Sequence, residues 1–412
     1  MRRIIIIVVL AFICAAGINA QDPDPSWGIK FSGFVKTDIL YDSRQPTTTA
    51  GLREGHFYLF PDNVLLDADG RDINANSSLH ILNIQTRLKG DITGPDAFGA
   101  RTSGLIEAEF FGTGESDING FRLRHAFVRL DWASTSLLTG QYWHPMFPVE
   151  SYPGTLSFNT GAPFTPFSRN PQVRLTQDFS IASVAITAYA QRDFASSGPD
   201  GTSNKYLRNS GMPGLDLLLR IPAGEIFTGF FGVDYKRLRP ELVTTTNRET
   251  DSKIGSFSAY ANVKMKTSML NISVMGVYGQ NASDLMMIGG YAVSEIINPV
   301  SQIKDYTTIN TGNLWIDIGT TGTRFTAGLF AGFSKNLGAS KDIVGSVYGR
   351  GTNVDHIFRF SPRVMLTEGR FSFAGEIEST TAAYGTRQAN GKVTNTDNVS
   401  NLRLLISTIY KF

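Results

Sequence analysis

Residues 29–42 read Ile29-Lys30-Phe31-Ser32-Gly33-Phe34-Val35-Lys36-Thr37-Asp38-Ile39-Leu40-Tyr41-Asp42. The odd positions include Ile29, Phe31, Val35, Ile39 and Tyr41; the even ones carry Lys30, Lys36, Asp38 and Asp42. Successive side chains of a β-strand point to opposite faces, so this two-residue period predicts a strand with one apolar and one charged face. The pattern recurs along the chain. Leu82, Ile84, Thr86 and Leu88 oppose Asn83, Gln85, Arg87, Lys89 and Asp91. Ala100, Thr102, Gly104, Ile106, Ala108 and Phe110 oppose Arg101, Ser103, Glu107 and Glu109. Ala182, Val184, Ile186, Ala188 and Ala190 oppose Ser183, Thr187 and Gln191. At the C-terminus Leu402, Leu404, Ile406, Thr408, Tyr410 and Phe412 oppose Asn401, Arg403, Ser407 and Lys411.

Sixteen such strands are predicted, starting near residues 29, 79, 99, 121, 136, 171, 180, 213, 226, 254, 268, 312, 324, 355, 371 and 401. Short connections with turn-forming residues (92–96, 222–225, 319–323, 368–370) alternate with long ones (43–78, 144–170, 194–212, 239–253, 282–311, 335–354, 385–400). A soluble β-sandwich and a membrane barrel share the alternation and differ in which face meets the surroundings. The barrel is favoured by strands long enough for a tilted crossing and by alternating short turns and long loops. Aromatic residues at the ends of the apolar faces (Phe31, Tyr41, Tyr410, Phe412) fit a girdle at the membrane surface. The expected fold is therefore all-β: a transmembrane antiparallel barrel of about sixteen strands, wide enough to enclose water. Lys36, Arg87, Arg129, Arg174, Arg359 and Arg363 are expected to face the lumen with Glu107, Glu109, Glu376 and Glu378.

Composition agrees. The 412 residues are 18% charged and include 41 glycines; a soluble domain carries about 25% charged residues. Mean hydropathy is −0.08. The one long apolar run, Ile4–Ala16, follows Arg2 and Arg3 and precedes the small-residue stretch Ala16-Gly17-Ile18-Asn19-Ala20. That order is a secretory signal, expected over residues 1–20, with the barrel occupying 21–412. Without Arg2 and Arg3, 36 basic residues balance 36 acidic ones, and no overall field draws nucleic acid. Cys14, the only cysteine, falls within the signal, so neither disulfides nor thiolate metal sites are expected in the mature chain.

Residues 144–170 stand apart from the other loops. Five prolines and five aromatic rings, among them Phe147, Tyr152, Phe158, Phe164 and Phe167, stiffen the segment and give it packing surface. It is expected to fold into the lumen and narrow it, with Glu150 and Arg169 facing Arg87, Arg129 and Arg174 across the constriction. The alternatives are an extracellular cap and a subunit contact. The runs Gln85-Thr86-Arg87-Leu88, Gly94-Pro95-Asp96-Ala97-Phe98-Gly99-Ala100 and Ile106-Glu107-Ala108-Glu109-Phe110-Phe111-Gly112 resemble the early strands of DcaP-like outer-membrane porins. So do Leu123-Arg124-His125-Ala126-Phe127-Val128, Leu138-Thr139-Gly140-Gln141-Tyr142-Trp143 and Asn170-Pro171-Gln172-Val173-Arg174. The resemblance spans about residues 80–180, together with the terminal Phe412. The long Asp-rich first loop and the second half of the chain depart from the pattern. The resemblance implies a homotrimeric, sixteen-stranded porin of the Gram-negative outer membrane, with its third long loop turned inward. The family is associated with small anionic solutes of dicarboxylate type.

The expected partners are small hydrophilic solutes and ions, outer-membrane lipid, and the barrel-assembly machinery through the strand ending in Phe412. No cofactor or metal is expected. The five histidines are scattered, and Asp67-Ala68-Asp69-Gly70-Arg71-Asp72 lacks the closing Glu of a calcium loop, which leaves a solvated acidic loop as the preferred reading. Leu285–Ile288 with Gly289-Gly290 is a candidate subunit contact. The rival functions are an outer-membrane barrel hydrolase, with His125 and Asp131 as its nearest candidates, and a surface adhesin. The function expected is passive diffusion through a water-filled pore lined by Lys36, Arg87, Glu107, Glu109, Arg129, Glu150, Arg169 and Arg174.

Overall fold

The computed structural model describes residues 28–47, 57–112, 117 and 119–412. The expected signal segment lies outside them. Sixteen strands form the wall. They are β1 (Gly28–Asp42), β2 (two collinear segments, Ser78–Leu82 and Arg87–Thr93), β3 (Arg101–Glu109), β4 (Arg122–Asp131), β5 (Thr135–Trp143) and β6 (Arg169–Asp178). Next come β7 (Ser183–Tyr189), β8 (Gly214–Ala223), β9 (Phe227–Leu238), β10 (Ile254–Lys266) and β11 (Leu270–Gln280). The last five are β12 (Ile303–Thr320), β13 (Phe325–Ala339), β14 (Val354–Glu368), β15 (Phe371–Arg387) and β16 (Val393–Lys411). Each pairs antiparallel with its sequence neighbours, and β16 pairs with β1 from Phe34↔Lys411 to Asp42↔Arg403. The pairing of the last strand with the first closes the barrel.

The faces are inverted relative to a soluble protein. On β16, Ile406 keeps 57% of its surface exposed whereas Arg403 keeps none. On β1, Phe31, Val35 and Ile39 are exposed while Lys36, Asp38 and Asp42 are buried inside. An apolar exterior around a polar interior is what a lipid surround requires, because lipid offers no partner for charge. Tight turns close one end of the barrel; in the turn between β14 and β15, Gly369 takes a φ of +58° that favours glycine.

Fourteen of the sixteen strands begin within three residues of their expected starts. The exceptions, β12 and β16, start earlier, at Ile303 and Val393. Parts of the expected loops 282–311, 335–354 and 385–400 are therefore strand. Gly289–Asn298 and Val347–Arg350 pair with each other, and the former also pairs with the start of β12, raising the wall beyond the barrel proper. The β16 extension carries no apolar outer face: Thr394 through Asn398 are all exposed. Over this stretch every side chain is polar, so the alternation that betrays a strand is missing.

A second correction concerns β2. Leu79 and Ile81 point outward and Leu88 does too, but Ile84 is buried inside. The strand breaks over residues 83–86, where the Lys36 N–H donates to Thr86 Oγ1 at 3.2 Å, and the phase of the alternation changes there. Leu82, Ile84 and Thr86 therefore do not share the outer face with Leu88.

Candidate permeation path

Alternation places charged residues on the inner wall, and neighbouring strands bring them together. Glu109 on β3 is fully buried among four guanidiniums. Its Oε1 accepts from Arg122 at 2.9 Å and from Arg169 at 3.4 Å, and its Oε2 accepts from Arg124 and, at 3.4 Å, from Arg87. Arg124 also pairs with Glu107. Asp193, in the loop after β7, accepts from Arg122 at 3.0 Å and from Arg169 at 2.7 Å. Burial raises the Asp193 carboxyl's pKa, but Arg169 and Arg122 outweigh it and hold it below the usual carboxylate range.

Three loops fold inward onto this wall. Residues 144–168, between β5 and β6, cross the lumen to the opposite side. Glu376 on β15 accepts from the Leu156 N–H at 2.6 Å and the Ser157 N–H at 3.3 Å. Glu378 accepts from Asn159 Nδ2 at 2.8 Å. Lys36 Nζ donates to the Leu156 carbonyl at 2.7 Å, and Arg359 Nη1 donates to the Ala162 carbonyl at 2.9 Å. The first loop contributes Phe57, Leu59 and Phe60, and Arg359 Nη2 donates to the Leu59 carbonyl at 2.6 Å. Residues 281–288 contribute Leu285, Met286, Met287 and Ile288, and the Leu285 carbonyl accepts from the Phe167 N–H at 2.9 Å. With Phe158, Phe164, Phe167, Trp315 and Phe330 they form one apolar cluster inside the barrel.

This packing leaves little open space at mid-height. Arg124, Arg169, Arg359, Glu378 and Arg403, from several sides of the wall, are at most 1% exposed. Of the guanidiniums on Glu109, Arg87 keeps 23% of its side-chain surface exposed and Arg122 keeps 11%. Arg87 and Arg122 are therefore the least buried members of this network. Toward the short-turn end the lumen widens into two cavities of about 650 and 410 Å³. Lys36, Lys264, Lys266, Arg363 and Lys411 line the larger with Glu150 and Asp317. Arg129, Arg174 and Arg220 line the smaller with Glu150 and Asp178. Eight cations thus face three carboxylates.

The residues expected at a constriction fall into two groups. Arg87, Glu107, Glu109 and Arg169 sit together in the network on one wall. Arg129, Arg174 and Glu150 line the smaller cavity, and Lys36 lines the larger. Glu150 and Arg169 do not face Arg87 across a gap. Arg169 opens β6 and shares Glu109 with Arg87, whereas Glu150 pairs with Arg220 at 2.8 Å. The reason is connectivity: Glu150 leaves β5 in the direction of β8, and Arg169 is already part of the wall. Leu285–Ile288 are buried inside and are not a subunit contact.

Sequence reasoning missed Arg220, Lys264 and the first loop's contribution. The unbroken apolar run Phe57-Tyr58-Leu59-Phe60 within a polar loop was the available signal for the last of these. In the acidic part of that loop Asp67 accepts from the N–H groups of Asp69 and Arg71, and Asp72 pairs with Arg44 at 2.6 Å. The histidine and aspartate of the hydrolase alternative are not joined: His125 packs on the Tyr142 and Trp143 rings, and Asp131 pairs with Arg129 at 2.7 Å. Among the described residues, no three His, Cys, Asp or Glu side chains gather to hold a metal ion.

No family model and no curated protein matches the chain. Several solved structures share its fold. The outer membrane channel DcaP of Acinetobacter baumannii is 14% identical, with a TM-score of 0.69 over 94% of this chain and 97% of that one. A trimer form of OmpT, an outer membrane protein of Vibrio cholerae, is 11% identical, with a TM-score of 0.55 over 94% and 99%. An anion-selective porin from Comamonas acidovorans is 10% identical, with a TM-score of 0.55 over 94% and 100%. At these identities the likeness is one of fold.

Proposed function

We propose that this chain is a porin of the Gram-negative outer membrane, a channel for passive diffusion of small hydrophilic solutes that favours anions. One observation carries the reading: a closed sixteen-strand barrel, apolar outside, holds two lumen cavities in which eight cations face three carboxylates. Charge lining a low-dielectric cavity concentrates counter-ions, so a surplus of cations raises the local anion concentration and repels cations. The apolar cluster at mid-height confines passage to a narrow route, for which the arginine-lined β2–β4 sector is the best candidate. Arg87, Glu107, Glu109 and Arg169 shape the field on that route, while Lys36, Arg129, Arg174 and Glu150 shape it below.

The wall charges pair with one another, as a field-shaping lining does. Trimeric assembly is supported by the trimer form of one similar structure, and insertion through the strand that ends in Phe412 fits its pairing with β1. The test is single-channel recording of the purified chain in a planar bilayer under a salt gradient. Small stepwise openings in groups of three, with a reversal potential on the anion side, are expected. Silence from correctly folded protein overturns the channel reading, and a reversal potential on the cation side overturns the anion preference.

A further inference from the structure

Glu150 is the only acidic residue of the inward loop 144–168, and it lines both cavities. Its carboxylate accepts from Arg220 through Nε at 2.8 Å and Nη2 at 3.0 Å, the two-pronged arrangement in which arginine holds any carboxylate. Its carbonyl accepts from Lys264 Nζ at 2.6 Å. The pair stays accessible, at 45% exposure for Glu150 and 36% for Arg220. Arg174, which lines the smaller cavity too, lies over the Tyr142 ring at 5.6 Å and donates through Nη2 to the Trp143 carbonyl at 3.1 Å. Its buried Nε finds no hydrogen-bond partner among the described residues. One guanidinium of the cavity is thus occupied by the protein's own carboxylate, and a second, that of Arg174, lines the same cavity without a carboxylate partner of its own among the described residues.

We propose that Glu150 is a tethered occupant of a carboxylate site formed by Arg220 and Arg174, and that it sets by competition how tightly a diffusing anion is held there. The inference rests on the channel reading above. Conduction requires a site attractive enough to enter and weak enough to leave. A site of clustered guanidiniums alone would hold a carboxylate too long. A carboxylate on the loop, always at hand, shortens each stay because it retakes Arg220 as the solute departs.

Calorimetric titration of benzoate into the folded, detergent-solubilised chain tests this. Glu150→Gln removes the competitor's charge and should tighten benzoate binding about two- to fivefold, the range expected for a half-exposed ion pair. Arg220→Gln should weaken binding below the wild-type value. Glu150→Ser is the second variant in case the first folds poorly, and it should tighten binding too. Unchanged or weaker binding in both Glu150 variants overturns the proposal, since a mere strut for the loop predicts no gain. Bilayer recordings on the same preparations separate the two readings: the predicted order of affinities in a barrel that never conducts overturns the channel and leaves the competition standing.

Discussion

Glu109 shows how a single residue organises the wall. One carboxylate, itself fully buried, compensates parts of four guanidiniums, of which Arg124 and Arg169 are buried with it and Arg87 and Arg122 are partly open. Removing one partner of a buried pair leaves charge uncompensated, at a cost of about 3–5 kcal/mol. Glu109→Gln should therefore lower stability by that order in denaturant unfolding of the lipid- or detergent-bound barrel. Arg87 and Arg174 are expected to act on permeation instead: replacing both by Ala should move the reversal potential toward cations, and an unmoved value would take them off the route. Asp193 makes a prediction about pH. Arg169 and Arg122 depress its folded pKa, so its contribution is fully present above the unfolded value of about 3.9 and fades as pH falls through the folded one. The loop over 190–213 should loosen below about pH 4 and stay closed between pH 5 and 8, as read by amide hydrogen exchange.

At the scale of elements, the inward loop and the wall were shaped for each other. Gly332 on β13 faces the lumen where the Phe164 ring arrives; a Cβ there would lie 2.5 Å from the ring. Gly332→Ala must displace the loop or the strand, and overpacking of this kind costs about 1–3 kcal/mol. The expected result is a larger conductance from a displaced loop. Adding Phe164→Ala, which removes the ring, should relieve the strain at the strand. Deleting 150–165 should enlarge the conductance further, because those residues cross the lumen and bond to Glu376 and Lys36. An unaltered conductance would place the loop outside the route. Proline and aromatic content marked this segment in the sequence, but its landing points on β1, β14 and β15 lie about 120 to 220 residues away along the chain, beyond the reach of any local pattern.

For the whole molecule, the pairing of β1 with β16 closes the wall into a continuous hydrogen-bonded ring, so the barrel should resist dodecyl sulfate at room temperature and unfold only on heating. A faster-running unheated band in gel electrophoresis checks this. The two-residue period was enough to locate all sixteen strands and to sort Lys36, Arg87, Glu109 and Arg403 from Phe31, Val35, Ile39 and Ile406, because the direction of a strand side chain depends only on its neighbours in sequence. The period failed where the surroundings changed. It vanished in the extension of β16, where Thr394 through Asn398 are all polar and exposed, and in Gly289–Val293, where both faces are buried, and it slipped across residues 83–86. The partners of the charged residues depend on which strands adjoin and how far each loop reaches. That is why Glu150 meets Arg220 rather than Arg87, and why Phe57, Leu285 and Phe164 meet inside the lumen: such contacts follow from register and closure, which only the assembled barrel decides.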